Sequence, residues 1–246
     1  MEQSIIVFAL VGFVAQLIDG ALGMAYGVTS TSFLLSIGVP PAAASASVHT
    51  AEVFTTAVSG ASHWKLGNVD RKLIRKLVLP GIIGGVLGAY VLTSIPGGVI
   101  KPLVTVYLLA MGLRILWKAH KDPDAHTRTA RLTPLALAGG FCDAIGGGGW
   151  GPIVTSTLVA NGHNPRSTVG SVNLSEFFVT LAEATTFVAF LGLVHWQAIV
   201  GLIIGGAVAA PLAAVLCSRL PARTLMISVG VVITVLSIRT LALALL

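Results

Sequence analysis

Residues 184–218 read ATTFVAFLGLVHWQAIVGLIIGGAVAAPLAAVLCS and contain no Asp, Glu, Lys or Arg. A helix crosses the hydrocarbon core of a bilayer with about 20 mostly apolar residues, so this stretch is long enough to span it. Residues 77–100 and 224–238 are likewise free of those four residue types. Outward from these runs, the 246 residues hold only 15 Lys+Arg and 9 Asp+Glu, or 10% charged, and the mean hydropathy is +0.92. A soluble domain carries about 25% charged residues, so polar material is too scarce to cover a soluble surface. That excludes a typical cytosolic enzyme and a disordered chain. The net charge of +6 comes from short basic islands between apolar runs, not from the basic stripe of a nucleic-acid-binding module. Strict alternation over ten-residue segments is absent, which argues against a transmembrane β-barrel. The expected class is an all-α polytopic membrane protein. The start, MEQSIIVFAL, lacks the basic region of a cleavable signal peptide. Cys142 and Cys217 lie in apolar segments and read as small packing residues rather than a disulfide.

The chain repeats itself at a shift of 124 residues. Asp19 matches Asp143, Gly23 matches Gly147, Tyr26 matches Trp150 and Gly27 matches Gly151. Thr31-Ser32 matches Thr155-Ser156, Gly38 matches Gly162, Pro41 matches Pro165, Ser47 matches Ser171 and Glu52 matches Glu176. Later parts align at a shift of 125, as Ile95-Pro96 with Leu220-Pro221. Each half divides into five helical pieces, with Gly and Pro marking most breaks. The expected pieces are 4–18, 24–37, 41–63, 71–95 and 97–118, then 131–143, 149–160, 165–190, 196–218 and 222–245. The first repeat thus covers 1–120, a linker 121–130, and the second repeat 131–246.

Loop charge sets the expected orientation, because cytoplasmic loops collect Lys and Arg. Lys65, Arg71, Lys72, Arg75 and Lys76 place the loop before the fourth piece inside, and Arg114, Lys118, Lys121, Arg128 and Arg131 do the same for the linker. With the second half inverted, Arg166, Arg219 and Arg223 also fall inside, and only Lys101 and Arg239 stay outside. A parallel arrangement puts the uncharged GLVHWQ loop inside and Arg219 and Arg223 outside. Two inverted repeats are therefore expected, with both termini outside a bacterial or archaeal cytoplasmic (inner) membrane.

The first piece of each half, at a rise of about 1.5 Å per residue, is only about 20 Å long, short of a core of about 30 Å. Residues 4–37 and 131–160 therefore read as broken or re-entrant hairpins that turn at DGALGMAYG (Asp19–Gly27) and DAIGGGGWG (Asp143–Gly151). Irregular backbone at such depth is tolerated only where protein or a water-filled cavity satisfies it. In inverted repeats the two turns meet near the midplane, where such transporters bind substrate. Each second piece starts at its turn, so its amides and helix dipole favour a small anion there. Candidate substrate contacts are Gly23, Tyr26, Gly27, Thr29, Ser30 and Thr31, with Gly147, Gly148, Gly149, Trp150, Gly151 and Thr155 from the second turn. Ser156 adds a hydroxyl beside Thr155. The bland alternative is that these glycines only let helices pack closely.

Counting from Pro41, His49 and Glu52 lie about 12 and 16 Å into the third piece; Asn173 and Glu176 reach the same depth from Pro165. The i,i+3 spacing puts each pair on one face, with Ser47 and Ser171 two residues earlier. An acid at mid-bilayer marks a pathway, a proton relay or a paired structural lock. Glu52 and Glu176 are thus candidates to carry a coupling proton or to bond the opposite turn. Asp19 and Asp143 come next, and can equally cap the turn backbone. Glu183, about 27 Å along its helix, reads as near the far interface. His63-Trp64, Trp117 and His195-Trp196 flank segment ends, as interfacial aromatics do. The segment His120–His126 reads as a solvated linker rather than a metal site. No nucleophile motif, phosphate-binding loop or redox-metal spacing emerges, and HxxE at His49–Glu52 is by itself a weak metal signal, so neither an enzyme nor a cofactor is expected.

With the duplicated turns, HTAEVFTTAVSGASHWKLGNVD (His49–Asp70) and PGIIGGVLGAYV (Pro80–Val91), the sequence resembles the TauE/SafE family of membrane permeases over essentially its whole length. The resemblance implies transport of sulfur-containing anions such as sulfite, sulfoacetate and other organosulfonates, often as export. The residues themselves supply an anion-friendly centre but nothing that selects sulfur. An anion channel-like pore and a Na⁺-coupled carrier of another small anion use the same features. The two half-sites are unequal, since His49 faces Asn173 in the repeat.

Overall fold

The computed structural model describes residues 4–120, 131–161, 163–193, 195–216 and 222–245. The 121–130 linker, Gly162, Cys217 and Arg219 lie outside the described residues. No strand occurs among the described residues.

The first half holds α1 (Ile5–Leu22), α2 (Tyr26–Ser36), α3 (Pro41–Lys65), α4 (Arg71–Ser94) and α5 (Gly97–Ala119). The second holds α6 (Leu132–Gly146), a π-helical turn (Gly151–Thr155) leading into α7 (Ser156–Ala160), then α8 (Pro165–Leu191), α9 (Trp196–Leu216) and α10 (Ala222–Leu245). Local chemistry sets these starts. Pro41 and Pro165 occupy first helical positions, where the missing N–H costs nothing. Asp70 caps α4 by accepting from the Lys72 amide at 2.8 Å, and Asn164 caps α8 by accepting from Ser167 at 3.1 Å.

The polarity runs from polar inside to apolar outside. Leu79, Ile83, Leu87 and Tyr90 on α4, and Ile204, Val208, Leu212 and Val215 on α9, are exposed at helical spacing. Gln16, Asp19, His49, Glu52, Asp143, Glu176 and Glu183 are all buried. Apolar belts around an ionisable interior suit lipid as the surrounding medium. Among the described residues, five helices (α1, α4, α5, α8 and α9) are long and apolar enough to cross a membrane.

The helix contacts come in exchanged pairs. α1 packs on α9 as α6 packs on α4; α3 meets α9 as α8 meets α4; α3 meets α8, and α5 meets α10. Along the α3–α8 contact, His49 lies against Glu183 while Ser59 bonds Asn173, so advancing along one helix retreats along the other. These matched helices are antiparallel. Small residues allow the close approach: Gly84 faces Leu137 and Phe141 of α6, while Gly85 leaves room for the Glu183 side chain.

The hairpin breaks fall later than the sequence suggested. α1 continues to Leu22 and α6 to Gly146, so Asp19 and Asp143 sit in the last turn of the first arm rather than in the break. At 18 residues α1 is about 27 Å long, while α6 at 15 residues is about 22 Å. Both arms end at a left-handed glycine, Gly23 at φ 66° and Gly147 at φ 62°.

Candidate functional site

The two breaks lie against one another at the centre of the bundle. Thr31 on α2 donates from Oγ1 to the Gly147 carbonyl at 2.5 Å, and Thr155 in the π-turn donates to the Gly23 carbonyl at 2.6 Å. Each threonine therefore ties its own hairpin to the opposite break. The backbone approach is close enough that a Cβ on Gly27 would stand 2.6 Å from Gly148 Cα. Thr31 and Thr155, expected as substrate donors, are thereby spent on a clamp between hairpins. Thr31→Val and Thr155→Val are each expected to cost about 1–3 kcal/mol by leaving a buried carbonyl unpaired. Thermal unfolding in detergent checks this; unchanged midpoints in both variants would show that the clamp is not a stabilising contact.

The aspartates close the breaks from behind. Asp143 Oδ1 accepts from the Gly149 amide at 2.6 Å and the Trp150 amide at 3.0 Å, while Gly148 donates to the Asp143 carbonyl. Asp19 Oδ1 accepts from the Tyr26 amide at 3.4 Å, and Gly23 donates to the Asp19 carbonyl. The capping role considered for both acids is the one observed. It also corrects the expectation that the amides of Gly23, Tyr26, Gly148, Gly149 and Trp150 await an anion, because these amides already have acceptors within the chain. Gly27, Gly147, Gly148 and Gly151 instead form the packed contact between breaks.

Other expected contacts sort the same way. Tyr26 Oη donates to the Leu202 carbonyl and Trp150 Nε1 to the Val172 carbonyl, so both rings anchor the hairpins to neighbouring helices. Ser47 donates to Ala43 one turn back; Ser171 donates to Ser167 and accepts from the Asp70 amide at 2.7 Å. Asn173 accepts from Ser59 at 2.8 Å and donates to Val169, which makes it a link between α8 and α3. Ser156 donates to the Pro152 carbonyl. Two expected donors remain open: the Thr29 and Ser30 hydroxyls on α2 are buried with no hydrogen-bond partner.

The acids do not behave as two equal pairs. Glu52 and Glu176 each keep one buried carboxylate oxygen without a hydrogen-bond partner. On the α3 side His49 Nε2 lies 2.7 Å from Glu183 Oε2, 3.6 Å from Asp143 Oδ2 and 4.0 Å from Glu52 Oε2. Glu183, expected near a segment end, is fully buried within the bundle and lies level with His49. The reason is the antiparallel crossing: a residue late in α8 lies level with one early in α3. The signal available in the sequence was the repeat itself, because Glu183 matches Ser59 of the first half. His63 is likewise buried within the bundle, with Nε2 bonded to the Gly20 carbonyl at 3.0 Å and Nδ1 to Asn68. Its neighbour Trp64 is 46% exposed and stacks under Arg71.

The model of the family described as "Sulfite exporter TauE/SafE" matches residues 8–240. The chain belongs to the TauE/SafE family. It is 45% identical, over 97% of its own length and 83% of the relative, to a Bacillus subtilis (strain 168) protein named "Probable membrane transporter protein YtnM". A Sinorhizobium sp. protein named "Probable membrane transporter protein ORF9" is 30% identical over 78% of this chain and 74% of that one. No solved structure matches the chain. TauE/SafE membership and the apolar outer belt together make it an integral membrane protein of a transporter family.

Proposed function

We propose that this TauE/SafE protein is a secondary exporter of small sulfur-containing anions, sulfite or an organosulfonate such as sulfoacetate. The observation that carries the reading is the crossing of two clamped hairpin breaks beside unpartnered hydroxyls of Thr29 and Ser30. Hydroxyl donors in a water-poor centre suit an oxyanion, and the family description supplies sulfite as the first substrate to test. Alternating access proceeds by rocking one half against the other around this crossing. The antiparallel packing of α3 and α8 supports halves inverted across the membrane. In that orientation the basic loops face the cytoplasm and the termini the outside. Glu176, buried on α8 with an unpartnered oxygen, is the acid we assign to proton coupling.

Proteoliposomes containing the purified protein are expected to move labelled sulfite or sulfoacetate with saturable kinetics, and a proton gradient to drive accumulation. Ser30→Ala is expected to weaken the apparent affinity about 5–10-fold, the effect of one lost neutral hydrogen bond. Flux that neither saturates nor runs uphill would mark a channel-like pore. Stimulation by Na⁺ without a response to the proton gradient would transfer the coupling to Na⁺.

A further inference from the structure

Beside the hairpin crossing, three ionisable side chains from three helices converge on one buried point. His49 on α3, Asp143 on α6 and Glu183 on α8 each offer one ligand atom, and these atoms lie within 4.8 Å of one another. His49 Nε2 and Glu183 Oε2 lie 2.7 Å apart, while Asp143 Oδ2 and Glu183 Oε1 are buried and have no hydrogen-bond partner. The outer atoms of His49 and Asp143, by contrast, are held firmly. His49 Nδ1 lies 2.8 Å from the Ser45 carbonyl, to which it donates, and this bond turns Nε2 toward the carboxylates. Ser45 is itself fixed, donating to the Ala144 carbonyl at 2.6 Å. Asp143 Oδ1 is occupied by two amides, which presents Oδ2 to the same point. Hydrogen bonds that fix the far atom of a side chain, as at His49 and Asp143, are what orients metal ligands.

We propose that His49, Asp143 and Glu183 bind a first-row divalent transition-metal ion, such as Zn²⁺ or Mn²⁺. One imidazole and two carboxylates form a mixed nitrogen–oxygen set. Such a set suits these ions better than Ca²⁺, which takes six to eight oxygens, or Cu⁺, which seeks sulfur. A dication cancels the charge of the two carboxylates in a setting where uncompensated charge is costly. Glu52 Oε2, 4.0 Å from His49 Nε2, stands where a fourth ligand can come from. Among the described residues this is the one such cluster. The matched positions of the other half are Asn173, Asp19 and Ser59, which supply no imidazole and a single carboxylate. Gly85 belongs to the same design, since a Cβ there would stand 2.7 Å from Glu183 Cγ.

Tag-free protein in detergent, stripped with chelator, loaded with Zn²⁺ or Mn²⁺ and desalted, is expected to retain about one ion per chain by elemental analysis. Asp70→Asn, which alters an exposed acid, is expected to retain the same amount. Glu183→Gln and His49→Gln keep the side-chain volumes close and are expected to bind at least about tenfold more weakly. Metal is also expected to raise the thermal midpoint of the wild type and not of Glu183→Gln, provided that variant elutes as a single species. Two results overturn the site: no ion retained and no midpoint shift in the wild type, or retention that Glu183→Gln and His49→Gln leave unchanged. Neither readout depends on which anion the protein moves, so failure here is separate from failure of sulfite transport.

Discussion

Gly148→Ala is expected to deprive the protein of a stable fold. Gly148 has φ 150°, and a Cβ there would fall among the backbone atoms of Gly27 and Val28 in the opposite hairpin. Those neighbours are main chain at the start of α2, so no flexible side chain can yield. The Thr31 and Thr155 bonds hold the two breaks together, which closes the other route of relief. Overpacking of a tight interior costs about 1–3 kcal/mol, and a forbidden backbone conformation adds a similar amount. The sum of about 2–6 kcal/mol is a large share of a typical domain's stability. Gel filtration and thermal unfolding in detergent are the measurements. Gly97→Ala is the control, because nothing lies within 4 Å of a Cβ there. A Gly148→Ala protein that melts like the control would mean the breaks are not packed together as described.

The second large effect is at Asp143, where shape and charge can be separated. Asp143→Ala leaves the Gly149 and Trp150 amides buried without their acceptor, at about 1–3 kcal/mol each. Asp143→Asn can keep an oxygen toward both amides while removing the charge. The alanine variant is therefore expected to lose about 2–6 kcal/mol of stability. The asparagine variant is expected to stay folded, lose metal retention and lose most transport. Asp19→Ala provides an internal comparison. Asp19 Oδ1 accepts a single, longer bond of 3.4 Å, so its loss is expected to lower the thermal midpoint less than Asp143→Ala. Equal losses of stability in Asp143→Ala and Asp143→Asn would show that charge, not the amide cap, holds the second break.

Much of the site was legible because each half comments on the other. The register at a shift of 124 located both breaks, the two capping aspartates and the two threonines before any contact was known. What each residue does was not legible. Thr29, Ser30 and Thr31 are consecutive hydroxyl residues on α2, yet Thr31 faces the other hairpin while its two neighbours keep open hydroxyls. Turn glycines look alike whether their amides wait for an anion or, like that of Gly149, already serve a carboxylate six residues back. Depth counted along one helix says nothing of what crosses it, so the count from Pro165 does not reveal that Glu183 lies beside His49.

By itself the sequence determined the membrane class and the helix boundaries to within a few residues. It also located the duplicated broken hairpins and the inequality of the halves. These follow from covalent order: apolar run length, proline and glycine positions, and the matched repeat. Only the tertiary structure decided that α3 and α8 cross antiparallel and that the breaks are clamped by Thr31 and Thr155. It alone brought His49, Asp143 and Glu183 to one point from three helices. No local spacing encodes that meeting, because it depends on where separate helices cross and which faces they turn to one another. The charge-free stretch that begins at Ala184 announced a bilayer; the acid just before it, Glu183, acquired its meaning only when α8 was laid across α3.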